Sequence, residues 1–217
     1  MGSGRRAQIL HRLIVITLMM LCFVFVSSGI SAQEAIGLVS RIQGEASATK
    51  SGATRALALN APVFLDEAVT TSRAARLEIT FKDNTRVTLG ATAKLTLDRY
   101  IFNPAVGRGA MKVAIVGAFR FLSGQLSKLA RSDVSVTTPV ATIGIRGTEF
   151  WGGPIDDQAL GVFLVEGAVR VSNAAGARIL TRPGQGTNVA KPGRAPGPVT
   201  VWPQDKVNRA IATVTFR

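Results

Sequence analysis

The segment Thr137–Phe150 reads TTPVATIGIRGTEF and places one proline, two glycines and one arginine between two strand-like runs. Ahead of the proline, Val134–Thr137 alternates apolar and polar residues with the period of a half-buried strand. Pro139 has no N–H to donate to a sheet, so we expect that strand to stop, bend or lie on an edge there. Gly144 and Gly147 allow backbone torsions or close approaches that a Cβ atom would block. The segment therefore predicts a bend between two strands.

Arg146 is the basic residue of that bend, with Ile145 before it and Phe150 shortly after it. A guanidinium carries five N–H donors in a planar fork. We expect this one to be partly buried and bonded to backbone carbonyls or a carboxylate, so that it holds the bend in place. Arg146→Ala would then cost about 1–3 kcal/mol, because its partners would be left unpaired. The alternative is that Arg146 is presented to a ligand or a partner.

The same segment resembles the signature of the FecR domain, the extracytoplasmic module of bacterial sigma-regulator proteins. The matching positions are Thr138, Pro139, Ala141, Arg146, Gly147, Thr148 and Phe150. Four further segments resemble other parts of that domain in the same order along the chain, namely residues 42–46, 65–71, 81–90 and 165–171. The resemblance implies a structural or partner-binding role for the signature residues, and it favours a solenoid-like fold.

Residues 1–32 have the three regions of a secretory signal peptide. Three arginines precede an apolar run from Leu13 to Val26, and small residues then lead to Ala32. A helix of that run would rise about 21 Å, which is less than the ~30 Å hydrocarbon core of a bilayer. We predict cleavage near Gln33 and a periplasmic or secreted bacterial protein. An uncleaved anchor, with the helix extended to Ile30, is the alternative.

Loss of residues 1–32 would leave 185 residues without cysteine or histidine, because Cys22 and His11 both precede the cleavage point. That composition excludes disulfides, cysteine nucleophiles, histidine-based triads and zinc or copper sites built on thiolate or imidazole. A polysaccharide-active enzyme would have to rely on carboxylates and arginine near the signature. Its candidate residues are Arg146, Glu149, Asp156 and Asp157. We favour a noncatalytic protein with no cofactor and no metal, in which Asp156 and Asp157 simply form a turn.

The basic charge of the chain bears on its partners. Residues 33–217 hold 23 Lys and Arg against 13 Asp and Glu, a net charge of +10. The basic residues are scattered, with only one tyrosine and two tryptophans, whereas nucleic-acid binders combine a basic stripe with stacking aromatics. We therefore expect an envelope protein or an anionic glycan as partner, no nucleic acid, and membrane contact only through an uncleaved N-terminal segment. A solvated basic surface without a partner is the simpler alternative, and the oligomeric state stays open.

Residues 33–190 consist of short alternating runs without a convincing helix. Arg76–Lys82 and Arg86–Leu89 alternate on either side of Asp83-Asn84, a pair suited to a tight hairpin turn. Turn signals recur at intervals of about 8–12 residues, which is typical of all-β domains. We predict an all-β fold, a twisted β-solenoid-like domain of short strands, with a β-sandwich as the alternative.

Three glycines lie in a common apolar-x-Gly-x-apolar pattern. They are Gly44, Gly124 and Gly167, each flanked at two residues' distance by apolar side chains. We expect strands to bend or backbones to pass close together at these positions.

The composition changes after Ala190. Lys191–Pro198 contains three prolines and two glycines, which predicts an extended strap. Pro203–Ala212 suits a short helix whose apolar side chains Val207, Ala210 and Ile211 form one face. We expect Trp202 to anchor that helix on the domain. The chain thus divides into a signal peptide (1–32), a FecR-like β domain (33–190) and a strap with a C-terminal segment (191–217).

These features favour a noncatalytic exported module that binds or senses another cell-envelope component and takes part in signalling. The 12 residues before Leu13 are too few for the cytoplasmic segment with which family regulators hold a sigma factor, so we expect a stand-alone domain. One alternative is a polysaccharide-binding or polysaccharide-active β-solenoid. Another is a structural surface protein that assembles through exposed strand edges.

Overall fold

The computed structural model describes residues 33–217, so the predicted signal peptide and its cleavage lie outside the described residues. Sixteen strands, two 3₁₀ turns and one helix make up this part of the chain. The first eight strands are β1 (Gly37–Gln43), β2 (Ala46–Lys50), β3 (Ala53–Ala56), β4 (Pro62–Val63), β5 (Ala68–Thr71), β6 (Arg76–Phe81), β7 (Arg86–Leu89) and β8 (Lys94–Asn103). The remaining strands are β9 (Arg108–Val116), β10 (Phe119–Leu122), β11 (Arg131–Thr137), β12 (Thr142–Ile155), β13 (Gln158–Asn173), β14 (Gly176–Leu180), β15 (Gln185–Val189) and β16 (Thr200–Val201). The 3₁₀ turns are Pro104–Val106 and Leu126–Lys128, and helix α1 is Gln204–Ala212.

All sixteen strands belong to one mixed sheet that curls into a half-barrel. Its main path runs β3-β2-β5-β8-β9-β11-β12-β10-β7-β6-β1-β4, and β13 to β16 continue from β12. Within this described sheet, β9 and β11 form the parallel pair, and the other pairs are antiparallel. The all-β prediction is confirmed, and the expected solenoid-like domain takes the form of this curled sheet. Most strands are short as expected, but β12 and β13 have 14 and 16 residues.

The β12–β13 hairpin lies at the centre of the sheet and connects its parts. The first half of β12 pairs with β11 and its second half pairs with β10, so one strand connects the two arms of the main path. The C-terminal part of β13 pairs with β14, and its N-terminal part pairs with β15. The signature segment therefore lies where the two arms meet.

The core forms because side chains alternate along each strand. In β6 the inward residues Leu77, Ile79 and Phe81 are buried, while the residues between them are partly exposed. Asn84 takes a φ of 65° in the turn that follows, as the predicted hairpin requires. Each fully buried Leu or Ile side chain contributes about 1.5–3 kcal/mol through the hydrophobic effect, so this alternation stabilises the curled sheet.

A second apolar cluster joins the C-terminal segment to the outer side of the sheet. Its buried members are Trp151, Phe163, Trp202, Ala210 and Val214. The Trp202 ring stacks on Phe163 with 5.5 Å between ring centroids. Trp151 donates from its indole nitrogen to the Thr213 hydroxyl at 3.0 Å. The structure therefore contains the predicted short helix, with Trp202 as its anchor. Among residues 33–217, no helix is long and apolar enough to cross a membrane.

Candidate functional site: the signature hairpin

The first half of the signature is a tight turn between β11 and β12. The Thr138 backbone N–H donates to the Ala141 carbonyl at 2.9 Å, and the Thr138 hydroxyl donates to the same oxygen at 2.8 Å. That hydroxyl also accepts from the Ala141 N–H at 3.1 Å. Pro139 is exposed within the turn, where its missing N–H costs nothing. Thr138 and Pro139 therefore have structural roles, and β11 ends at Thr137 as the proline predicts.

The second half of the signature is a bulge in β12. Gly147 has a φ of 58°, and the register with β13 shifts between Arg146 and Glu149. The Thr148 side chain is buried, and its hydroxyl lies 2.7 Å from the Ala168 carbonyl and 3.0 Å from the Arg146 carbonyl. It also accepts from the Ala168 N–H at 3.3 Å. The threonine hydroxyl therefore fastens the bulge to β13.

Arg146 does not hold the bend, so the expectation of a buried and bonded guanidinium is wrong. Its side chain is exposed, and within residues 33–217 it makes no hydrogen bond, ion pair or ring contact. The reason is strand alternation: Ile145 points into the core, so Arg146 points outward before the bulge begins. Thr148 was not expected as the fastener, because its bond to Ala168 joins residues twenty positions apart and leaves no local sequence signal.

We expect Thr148→Val to lower the free energy of unfolding by about 1–2 kcal/mol. The variant keeps the side-chain volume but leaves the Ala168 N–H and carbonyl without their side-chain partner. Urea denaturation measures the loss. Thr137→Val is the matched control, because the Thr137 side chain is exposed at the end of β11. Equal stabilities of the two variants would show that the hydroxyl does not fasten the bulge.

Phe150 and Ala141 complete the signature from the core side. Phe150 is fully buried and lies 5.7 Å from Phe121 in a stacked contact. It lies at the same centroid distance from Phe119 in an edge contact. Ala141 is also buried. Every signature residue except Arg146 is therefore explained by the turn, the bulge or the core, and Pro139 belongs to the turn although its ring is exposed.

The surface around Arg146 is flat and basic. Cross-strand register places Lys112 opposite Ser135, Ser135 opposite Gly144, and Gly144 opposite Arg170 on this outer face. A Cβ atom on Gly144 would meet only the Arg170 carbonyl, at 4.0 Å, so the middle of the row is open. Arg99 lies opposite Lys112 and extends the row. We call these residues, with Arg146, the basic face: Arg99, Lys112, Ser135, Gly144, Arg146 and Arg170.

Within the described residues, Asp133 is the carboxylate that forms an ion pair with the basic face. Asp133 lies 3.2 Å from the Lys112 ammonium, and both side chains are about half exposed or more. Arg99, Arg146 and Arg170 have no such carboxylate within the described residues. The face therefore keeps a net positive charge that an acidic partner could neutralise.

Glu149 and Asp156, two of the carboxylates considered for catalysis, lie apart and form ion pairs with other residues. Glu149 forms an ion pair with Arg120. Asp156 pairs with Lys206 at 3.0 Å and with Arg209 at 2.8 Å, and these cations lower the pKa of Asp156, Arg209 most strongly. Asp156 and Asp157 have φ values of 49° and 60° in the turn between β12 and β13, as the turn interpretation proposed.

Strand geometry keeps Glu149 far from the Asp156 turn. Seven residues of extended chain separate them by roughly 20 Å, whereas paired glycosidase carboxylates lie about 5–9.5 Å apart. The structure therefore does not bring these candidates together. Within residues 33–217, no group of three His, Cys, Asp or Glu side chains could hold a metal ion.

The fold and the site define an all-β module whose signature builds a turn and a bulge and presents one arginine outward. Residues 67–170 match the family model described as FecR protein. Residues 67–170 therefore form a FecR domain, and the match includes the whole signature and all six residues of the basic face.

Solved structures with a similar fold include two crystal structures of one protein. Two crystal structures of a candidate anti-sigma factor from Parabacteroides distasonis ATCC 8503, at 1.65 and 2.50 Å resolution, each match with a TM-score of 0.52 and 18% sequence identity. The matches cover 66% of this chain and 64% and 63% of those chains, so this chain spans less than two thirds of their length. None of the curated proteins matches the sequence.

Proposed function

We propose that the protein is a noncatalytic binding or sensory module of the bacterial cell envelope that contacts another envelope component through its basic face. The FecR domain supports a role in envelope signalling. The observation that carries the proposal is the exposed Arg146 guanidinium, which has no partner within residues 33–217 although it belongs to the signature.

The chemistry of the basic face points to an acidic partner. Arginine forks bind carboxylates bidentately, and an exposed arginine loses little solvation until a partner covers it. Ser135 has a small side chain and Gly144 has none, so an extended acidic segment of a protein could lie across the strands at the centre of the basic face. We propose an acidic envelope protein as the partner, with an anionic glycan as the alternative that the experiment below distinguishes.

Localisation follows from the same proposal. Residues 1–32 would direct export by a cleavable signal peptide, and the domain would act in the periplasm or outside the cell. No step of the proposed function uses a cofactor, a metal ion or nucleic acid. The separation of Glu149 from Asp156 and their ion pairs support a protein without catalytic activity.

We expect Arg146→Glu to abolish capture of the partner from envelope extracts, because reversal of the charge converts attraction into repulsion. The immobilised protein is incubated with extract, and retained proteins and acidic glycans are identified by mass spectrometry. Capture by the unchanged protein should also fall as salt is raised, because exposed charges are screened over about 8–10 Å at physiological ionic strength.

Arg73→Glu is the matched control for that experiment. Arg73 is exposed in the turn between β5 and β6, outside the basic face, and the substitution makes the same change in net charge. Capture that persists in Arg146→Glu, or that is lost equally in Arg73→Glu, would contradict recognition through the basic face. If the immobilised protein retains an acidic glycan and no protein, the partner is a glycan and not an envelope protein.

A further inference from the structure

A small cavity on the outer side of β1, β6, β7 and β10 is lined by three arginines. Its volume is about 170 Å³. Arg41, Glu78, Thr88 and Arg120 lie opposite one another in register across the four strands. Arg86 and Leu122, also paired across strands, complete the lining. We call this set of six residues the arginine pocket.

The contacts of each arginine differ. Arg120 is paired with Glu149. The Arg41 guanidinium lies 4.1 Å from the centre of the Phe216 ring, a cation–π contact that orients it without neutralising its charge. Arg86 makes no side-chain hydrogen bond, ion pair or ring contact within residues 33–217. Two positive charges of the arginine pocket therefore lack a carboxylate partner.

Glu78 forms no ion pair with Arg41 or Arg86 within the described residues, although it lies among the arginines and contributes its charge to the site. Its carboxylate accepts from the Ser40 hydroxyl at 2.9 Å and from the Thr88 hydroxyl at 3.3 Å. These two hydroxyls are the side-chain partners of the Glu78 carboxylate within residues 33–217. The hydroxyls thus hold the carboxylate among the strands and leave the guanidinium donors free.

The charge balance indicates what the arginine pocket accepts. Three arginines face two carboxylates, those of Glu78 and Glu149, so the site carries one net positive charge. One monoanionic group restores neutrality, whereas a phosphate dianion would be repelled by Glu78. A carboxylate has one negative charge and the planar shape that matches an arginine fork. The small volume limits the bound group to about the size of such a headgroup.

We propose that the arginine pocket binds a carboxylate group of an acidic ligand, with Arg86 and Arg41 as its donors. This site is separate from the basic face and does not depend on the proposed function. The carboxylate can come from an acidic peptide or from a uronic acid, because both present the same group to the arginines.

Titration with small carboxylates tests the proposal. The ¹⁵N-labelled protein is titrated with N-acetyl-L-aspartate and with D-glucuronate while the amide signals of Thr88 and Leu122 are followed by NMR. We expect saturable shifts of those signals with at least one of the two. The uncharged analogues N-acetyl-L-asparagine and D-glucose should cause none. The ligand that binds more tightly identifies the source of the carboxylate.

Three variants make the test specific. Arg86→Gln should weaken binding roughly tenfold or more, because a charge-assisted fork is lost. Arg41→Gln should weaken it as well, and Arg73→Gln should leave it unchanged. The Arg86 side chain makes no hydrogen bond, ion pair or ring contact within residues 33–217. We therefore expect the amide NMR spectrum of Arg86→Gln to show the same fold as the unchanged protein. Absence of saturable shifts, unchanged binding by Arg86→Gln, or binding of inorganic phosphate as tight as that of the carboxylates would overturn the proposal.

Discussion

Asp83→Ala is expected to lower the free energy of unfolding by about 3–5 kcal/mol, because it removes the shared acceptor of several hydrogen bonds in the interior. The Asp83 side chain is fully buried and accepts from the Tyr100 hydroxyl at 3.0 Å and from the Thr85 hydroxyl at 2.6 Å. It also accepts from the Leu126 backbone N–H at 3.1 Å. Its loss would leave the buried Thr85 hydroxyl and Leu126 N–H, and the part-buried Tyr100 hydroxyl, without this acceptor, each buried donor costing about 1–3 kcal/mol before relaxation. Urea denaturation measures the change.

The Asp83 network explains why so much depends on one turn residue. It joins the β6–β7 hairpin to β8 through Tyr100 and to the second 3₁₀ turn through Leu126. Burial, and then the charge of Asp83, raise the pKa of Tyr100, which therefore remains a hydrogen-bond donor. Asp133→Ala is the control, because its side chain is 63% exposed and its ion pair with Lys112 is worth about 0–1 kcal/mol. Similar losses in both variants would show that the network contributes no more than a surface ion pair.

Gly167→Ala is expected to lower the free energy of unfolding by at least about 3 kcal/mol. Gly167 has a φ of 82°, which costs an L side chain about 1–2 kcal/mol. Its Cβ atom would also lie 2.2 Å from the Gly147 carbonyl oxygen, so the backbones of β12 and β13 would have to separate at the signature bulge. Thermal and urea denaturation report the effect.

Gly52→Ala separates the two contributions. Gly52 has nearly the same φ, 83°, in the turn between β2 and β3, and no atom lies within 4 Å of its Cβ position. This variant should lose only the torsional contribution, about 1–2 kcal/mol. A loss in Gly167→Ala no larger than that in Gly52→Ala would mean that the bulge tolerates the separation of its strands.

Much of the fold could be predicted because it depends on local chemistry. The glycine pattern predicted close backbone approaches, and a Cβ atom on Gly124 would lie 2.2 Å from the Asp83 carbonyl oxygen. At Gly44, with a φ of 71°, it would lie 3.0 Å from the Ala75 Cα atom. Glycine alone lacks the Cβ atom, so its position in a strand pattern carries this information directly.

The orientation of Arg146 could not be predicted from its neighbours. The residues around Arg146 are compatible with either a buried or an exposed guanidinium. Its orientation depends on the bulge that Thr148 fastens to Ala168, twenty residues further along the chain. The arginine pocket was beyond prediction for a similar reason. Its members come from β1, β6, β7 and β10, which become neighbours only through the order of the curled sheet.

The melting temperature of Arg146→Ala tests the central claim that the signature arginine serves recognition and the rest of the signature serves the fold. We expect it to stay within about 2 °C of the unchanged protein, since exposed substitutions usually alter stability by less than about 0.5 kcal/mol. A fall of about 5 °C or more would contradict the claim, because it would show that the guanidinium holds the bend after all.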